Sequence, residues 1–196
     1  MSTNGVPRAP ARTDSADPRA ARVRDRLRRA AFDLIEERRV ERISVSDITQ
    51  LAGVSRQVFY QHFRDRDDAV AQAVAASFRE LTPDDGESED PRAVIHCLCD
   101  FAARHAELYR NLYPSSASQQ TANAYRDLLH PACVQLVEHV PNSATLADFV
   151  LGGIIEVVRL SAEAADAPTT AKALRRRVDA CLDAIGRPLA PARAKG

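Results

Sequence analysis

No run of about 20 apolar residues, the length needed to cross a bilayer core, occurs anywhere in the chain. Its most hydrophobic stretch, residues 146–160, is broken by Asp148, Glu156 and Arg159, so no membrane-spanning helix is expected. Residues 1–17 are rich in Pro, Ala, Arg and Asp and lack an apolar core, so they do not read as a secretory signal. A cytoplasmic location is the expectation. Cysteine is sparse: Cys97, Cys99, Cys133 and Cys181 show no framework spacing, which suits reduced, mostly buried thiols. The signatures of catalysis are also missing. There is no nucleophile elbow, dinucleotide fingerprint, phosphate-binding loop or H-E-x-x-H pair, so no enzyme and no cofactor is expected. Cys97 and Cys99 would point about 200° apart on a helix, so they cannot share a metal ion.

Net charge is absent too, since 27 basic residues balance 27 acidic ones. The balance hides a separation. Residues 1–64 hold 13 Arg against 8 acids, whereas residues 81–160 hold 5 Arg against 11 acids. A positive end joined to an acidic body is the electrostatic footprint of a nucleic-acid reader attached to a domain with another task. A charged helical face is by itself ordinary solvated surface, and lysine contributes only two of the cations, so the arginine surplus can reflect coding bias alone. The inference therefore has to rest on a motif.

That motif is Ser44 to Phe63, which reads as two short helices around a glycine turn. Ser44 and Asp47 have capping-box spacing, and Ile48, Leu51 and Ala52 then share one face. Gly53 accepts the left-handed conformation of a tight turn, and Ser55 caps a second helix over Arg56–His62. This second helix carries Arg56, Gln57, Tyr60, Gln61 and His62 around an inward Phe59, a density of hydrogen-bonding groups suited to the base edges of a major groove.

These residues resemble the DNA-binding domain of the TetR family of bacterial transcriptional regulators. The resemblance covers about residues 21–81, through Ile48-x-x-Leu51-Ala-Gly-Val-Ser55, Phe59-Tyr60-x-His62-Phe63 and Arg66-Asp-Asp. It implies a palindromic double-stranded DNA operator, a homodimer, and repression relieved by an unknown small-molecule effector. Arg56, Gln57, Tyr60, Gln61 and His62 would meet the groove or its edges, with Ser44, Ser46, Tyr60, His62 and Arg66 as candidates for phosphate contacts. Two positions depart from the family pattern: Arg66 stands where lysine is usual, which keeps the charge, and Gln61 where an aromatic is frequent. The alternative from another class is a small helical enzyme or stress protein whose first domain no longer reads DNA.

The remainder reads as helices without strands, giving an all-α fold. Asp17-Pro18 starts a helix striped by Val23, Leu27, Ala30, Ala31, Leu34 and Ile35, and Asp65-x-x-Asp68 opens another along Val70, Val74, Phe78 and Leu81. Residues 83–91 read as an acidic boundary loop. Asp90-Pro91 repeats the start signal for a helix along Val94, Leu98, Phe101 and His105 that ends near Ala106. Glu107–Tyr113 is a short helix, 115–120 a polar loop, and Tyr125 to Val140 a helix that Pro131 kinks or restarts. Thr145 to about Ala165 is apolar on more than one face, and Leu174, Val178, Cys181 and Ile185 stripe the last helix. The expected organisation is a flexible arm over 1–16, a helix-turn-helix DNA-binding domain over 17–82, a ligand-binding and dimerisation domain over 90–186, and a flexible tail over 187–196. Phe101, His105, Tyr109, Tyr125 and Phe149 are the candidate effector-pocket residues. Gly152, Gly153, Val157, Leu174 and Val178 are the candidate dimer contacts, because a helix apolar on two sides needs two partners.

Overall fold

The computed structural model of the chain describes residues 18–82, 90–163 and 170–185. The expected arm, acidic boundary loop and tail lie outside or almost outside these residues. The described residues form nine α-helices and one 3₁₀ turn, with no strand: α1 (Pro18–Glu37), the turn Val40–Arg42, α2 (Val45–Ala52), α3 (Arg56–His62), α4 (Arg66–Arg79), α5 (Pro91–Arg104), α6 (Ala106–Leu112), α7 (Ser116–Val137), α8 (Ser143–Glu163) and α9 (Ala171–Ile185).

Helix α1 buries Leu27, Ala30, Ala31, Leu34 and Ile35, the stripe expected, and packs on α2 and α4. Helix α4 is capped by the Asp65 carboxylate, which accepts from the Asp68 amide at 2.8 Å, and buries Val70, Val74 and Phe78. Leu81 falls beyond its end and is exposed, a correction to the expected stripe. Helix α4 packs on both α1 and α7, so a single apolar core continues from Leu27 through Phe78, Phe101 and Tyr125 to Leu182.

In the C-terminal part, α7 lies against α4, α5 and α8, while α9 lies against α5 and α8. The polar stretch 115–120 is not a loop. Ser115 caps α7 by accepting from the Ser118 amide at 3.1 Å, and its own amide donates to the Ser118 hydroxyl at 3.4 Å; the helix then runs on past Pro131. Helix α5 ends at Arg104, two residues earlier than expected, with His105 standing between α5 and α6. Helix α8 starts two residues early, at Ser143, after Asn142 turns the chain with φ 60°. On α9, Leu182 takes the buried place expected of Cys181, which is exposed.

Candidate nucleic-acid interface

The interface is built from the capping that isolates α2 and α3 as two short rods. Ser44 and Asp47 form a reciprocal capping box: the Ser44 hydroxyl accepts from the Asp47 amide at 3.1 Å, and the Asp47 carboxylate accepts from the Ser44 amide at 2.8 Å. The bonds donated to the Asp47 carboxylate by the Ser44 amide and hydroxyl, with Arg38 nearby, hold that carboxyl below its ordinary range. Gly53 ends α2 at φ 62°, ψ 43°, and the Ser55 hydroxyl accepts from the Val58 amide to start α3. Ile48, Thr49 and Ala52 face inward on α2. Leu51, expected on that face, is 55% exposed instead, because the main cover of α2 comes from α1 and α3 on its other sides.

On α3, Phe59 is fully buried, its ring 5.5 Å from that of Phe63. Locking one side of a seven-residue helix into the core leaves the opposite side outward. Arg56, Gln57, Tyr60 and Gln61 are exposed, with Gln57 and Gln61 one turn apart, and His62 is half-buried at the flank. Five donor- or acceptor-bearing side chains are thereby carried on one rigid rod.

The phosphate candidates differ in what they already hold. Ser46 is exposed on the first turn of α2, while the Ser44 hydroxyl is engaged in its cap. Arg66 is a strut: its Nε donates to Asp67 Oδ1 at 2.6 Å and its Nη1 to the Ile43 carbonyl at 3.2 Å, tying α4 to the entry of α2. Asp67 is gripped from the other side by the Ser116 hydroxyl of α7. His62 stands close enough to Arg24 and Arg28 for them to act on it: burial first, and then those two charges, hold its imidazole below the ordinary value of 6.5.

Sequence reasoning missed the part played by α1. Arg26 donates to the carbonyls of Ala52 and Gly53, clamping the turn between α2 and α3. The signal was present as six arginines between residues 19 and 29, read there only as net charge.

In the body, Phe101, Tyr109 and Tyr125 are buried together, the two phenol oxygens 2.8 Å apart and the Phe101 and Tyr109 ring centroids 6.4 Å apart. His105 adjoins them through the Phe101 ring but turns its Nδ1 to Glu36 Oε1, 2.5 Å away on α1. Phe149 does not join this group. It is 71% exposed on the outer side of α8, a correction that follows from Val150 and Leu151 taking the inward positions. There Phe149 borders an apolar groove of about 170 Å³ between α8 and α9, with Gly153, Val157 and Cys181. Gly152 and Gly153 are exposed and would meet nothing within 4 Å if given a Cβ. Leu174 and Val178, proposed from sequence as dimer contacts, are 1% and 2% exposed and belong to the chain's own core, because α9 turns them toward α5 and α8.

A family model described as "Bacterial regulatory proteins, tetR family" matches residues 27–73, from the buried stripe of α1 to the middle of α4. No curated protein matches the chain. Among solved structures, the fold is similar to the dihydroxyacetone kinase operon activator DhaS (TM-score 0.61, 18% identity, 83% of this chain and 95% of that one). It is similar also to the fatty acid degradation regulator FadR from Bacillus halodurans (TM-score 0.55, 18% identity, 86% and 96%). A third is RolR, solved in complex with resorcinol (TM-score 0.51, 17% identity, 88% and 97%). At these identities the likeness is one of fold.

Proposed function

We propose, from the premise that the chain is a transcriptional regulator of the TetR family through its helix-turn-helix domain, that it represses by binding a near-palindromic operator as a homodimer and leaves it when a small molecule enters the body. The observation that carries the DNA reading is the outward face of α3: Arg56, Gln57, Tyr60 and Gln61 exposed over a fully buried Phe59. Gln57 and Gln61, farthest from Phe59, suit base edges; Tyr60, Ser46 and His62, to the sides, suit phosphates. Arg66 would reach a phosphate only in competition with Asp67. Dimerisation through α8 and α9 is supported by the exposed Phe149, the open strip at Gly152 and Gly153, and the groove beside them. An effector, small and largely apolar, would have to open space where α5, α6 and α7 meet, by parting Phe101, Tyr109 and Tyr125 from one another. Domain limits follow the same reading, with a DNA-binding unit over 17–82 and a sensing and dimerisation unit over 90–186.

The test is selection of fragments from the encoding genome by the full-length protein at physiological salt. Enrichment of a paired-half-site sequence is expected, with affinity falling about 10³–10⁵-fold between 50 and 200 mM salt if the dimer neutralises roughly 6–10 phosphates. Gln57→Ala should also relax preference at one or two base positions, at a cost of about 1–3 kcal/mol. If no sequence is enriched over random fragments, the regulator reading is wrong.

A further inference from the structure

Two of the last carbonyls of α1 accept from a side chain of α6, and the carbonyl just past α6 accepts from an arginine just past α1. A helix ends with up to four carbonyls lacking intrahelical partners, which a glycine cap or water usually serves. Helix α1 has no glycine there; it is followed by Arg38 and Arg39. Instead the Asn111 side chain of α6 donates from one Nδ2 to the carbonyls of Ile35, at 2.9 Å, and Glu36, at 3.3 Å. The exchange is returned. Arg39, just past α1, donates through Nη2 to the carbonyl of Tyr113, the residue that ends α6, at 3.0 Å. At the other end of α6, His105 meets Glu36, and the Phe32 ring of α1 stands edge-on to the His105 imidazole with centroids 5.3 Å apart. Helix α6 has only seven residues, too few to hold its shape or place alone, so its position is set by its packing on α1 and α8 and by what grips its ends. Both ends are gripped by α1.

Helix α1 is in turn the element that clamps the α2–α3 turn through Arg26. A continuous path of short contacts therefore runs from the body helix α6, along α1, to the recognition helix. We propose that Asn111 and Arg39 are positioning residues for DNA recognition: by cross-capping α1 and α6 they fix the angle of the reading head on the body, and so the separation of the two recognition helices in the dimer. This rests on the dimeric, operator-binding reading above. In this reading neither residue needs to touch DNA. Their effect falls on half-site spacing, because half-sites about one helical turn apart must be met in both distance and rotational phase.

The experiment uses full-length wild type, Asn111→Ala and Arg39→Ala, with duplexes built from the half-site pair that wild type selects out of a random-sequence pool. Spacing is varied from two base pairs fewer to two more, and a duplex with a single half-site is included. Wild type should lose at least tenfold in affinity per base pair of misspacing. Each variant should bind the best duplex about tenfold more weakly, show a spacing penalty reduced to a few-fold, and bind the single half-site as wild type does. That last measurement, with an unchanged helical circular dichroism spectrum, separates positioning from misfolding. If one variant fails to fold, the other decides, since Arg39 and Asn111 approach the clasp from opposite elements. A spacing profile identical to wild type in a folded variant overturns the proposal while leaving the regulator reading intact; a wild type that selects no paired half-sites overturns both.

Discussion

His62 combines partial burial with two arginine neighbours, both of which favour its neutral form. With the folded pKa below 6.5, its contribution to stability is intact above that pH and is lost as pH falls through it, since the unfolded chain then binds more protons than the folded one. A DNA phosphate works in the opposite direction. If His62 lies against the backbone, the complex takes up a proton that the free protein leaves in solution, and affinity rises as pH drops from about 8 to 6. Anisotropy titrations across that range should show the rise in wild type and a flatter profile in His62→Gln; superimposable profiles would remove His62 from the interface. Each side chain's identity on α3 was legible in the sequence. The arginine pair beside His62 was not, because its proximity comes from how α1 packs on α2 and α4, which no local spacing encodes.

At the scale of an element, the turn between α2 and α3 depends on Gly53 twice over. Its φ of 62° disfavours any residue with a Cβ, and a Cβ placed there would sit 3.0 Å from Arg26 Nη2, the group that clamps the turn. Gly53→Ala should therefore cost roughly 1–2 kcal/mol of strain, with a further loss if Arg26 is displaced. A lower urea midpoint at unchanged slope is the expected result; an unshifted midpoint would mean the turn relaxes freely. This turn and the caps at Ser44, Ser55, Asp65 and Asp90 were readable because capping is local chemistry, a hydroxyl or carboxylate within three residues of its amide. The start of α7 followed the same rule at Ser115 yet read as a loop. Its first turns bury Ala117, Ser118 and Thr121 rather than aliphatic side chains, since small residues let α7 approach α4, and small polar residues leave no apolar stripe. Leu51 shows the converse, an apolar residue at correct helical spacing on a helix with no neighbour on that side.

At the scale of the whole molecule, the described residues leave an apolar surface uncovered along α8, and this bears on assembly. Phe149 is 71% and Leu160 46% exposed on α8, on the side that also carries Gly152 and Gly153. Phe149→Asp and Gly153→Arg should each leave the fold of a single chain intact, because neither position touches the rest of its own core closely. Burying either new charge unpaired at a subunit contact would cost several kcal/mol, enough to shift sedimentation from dimer to monomer and weaken operator binding in parallel. A folded dimer in both variants would place the contact elsewhere. Sequence pattern identified α8 as two-sided but erred on α9, where Leu174 and Val178 carry helical spacing that serves the core and contact between copies alike until the packing is known.

The four cysteines have an experimental use that their chemistry makes available without mutagenesis. Burial raises the Cys99 thiol to about 12 and the Cys133 thiol to about 11, so at neutral pH these two hold very little reactive thiolate; it raises that of the half-buried Cys97 as well. Cys181 is exposed and sits in the groove beside Phe149. A maleimide should thus react foremost at Cys181 in a free chain and be held off where pairing covers that surface. The labelling rate of the natural protein, followed as it is diluted, would then report how readily subunits part, and whether effector or operator slows that parting.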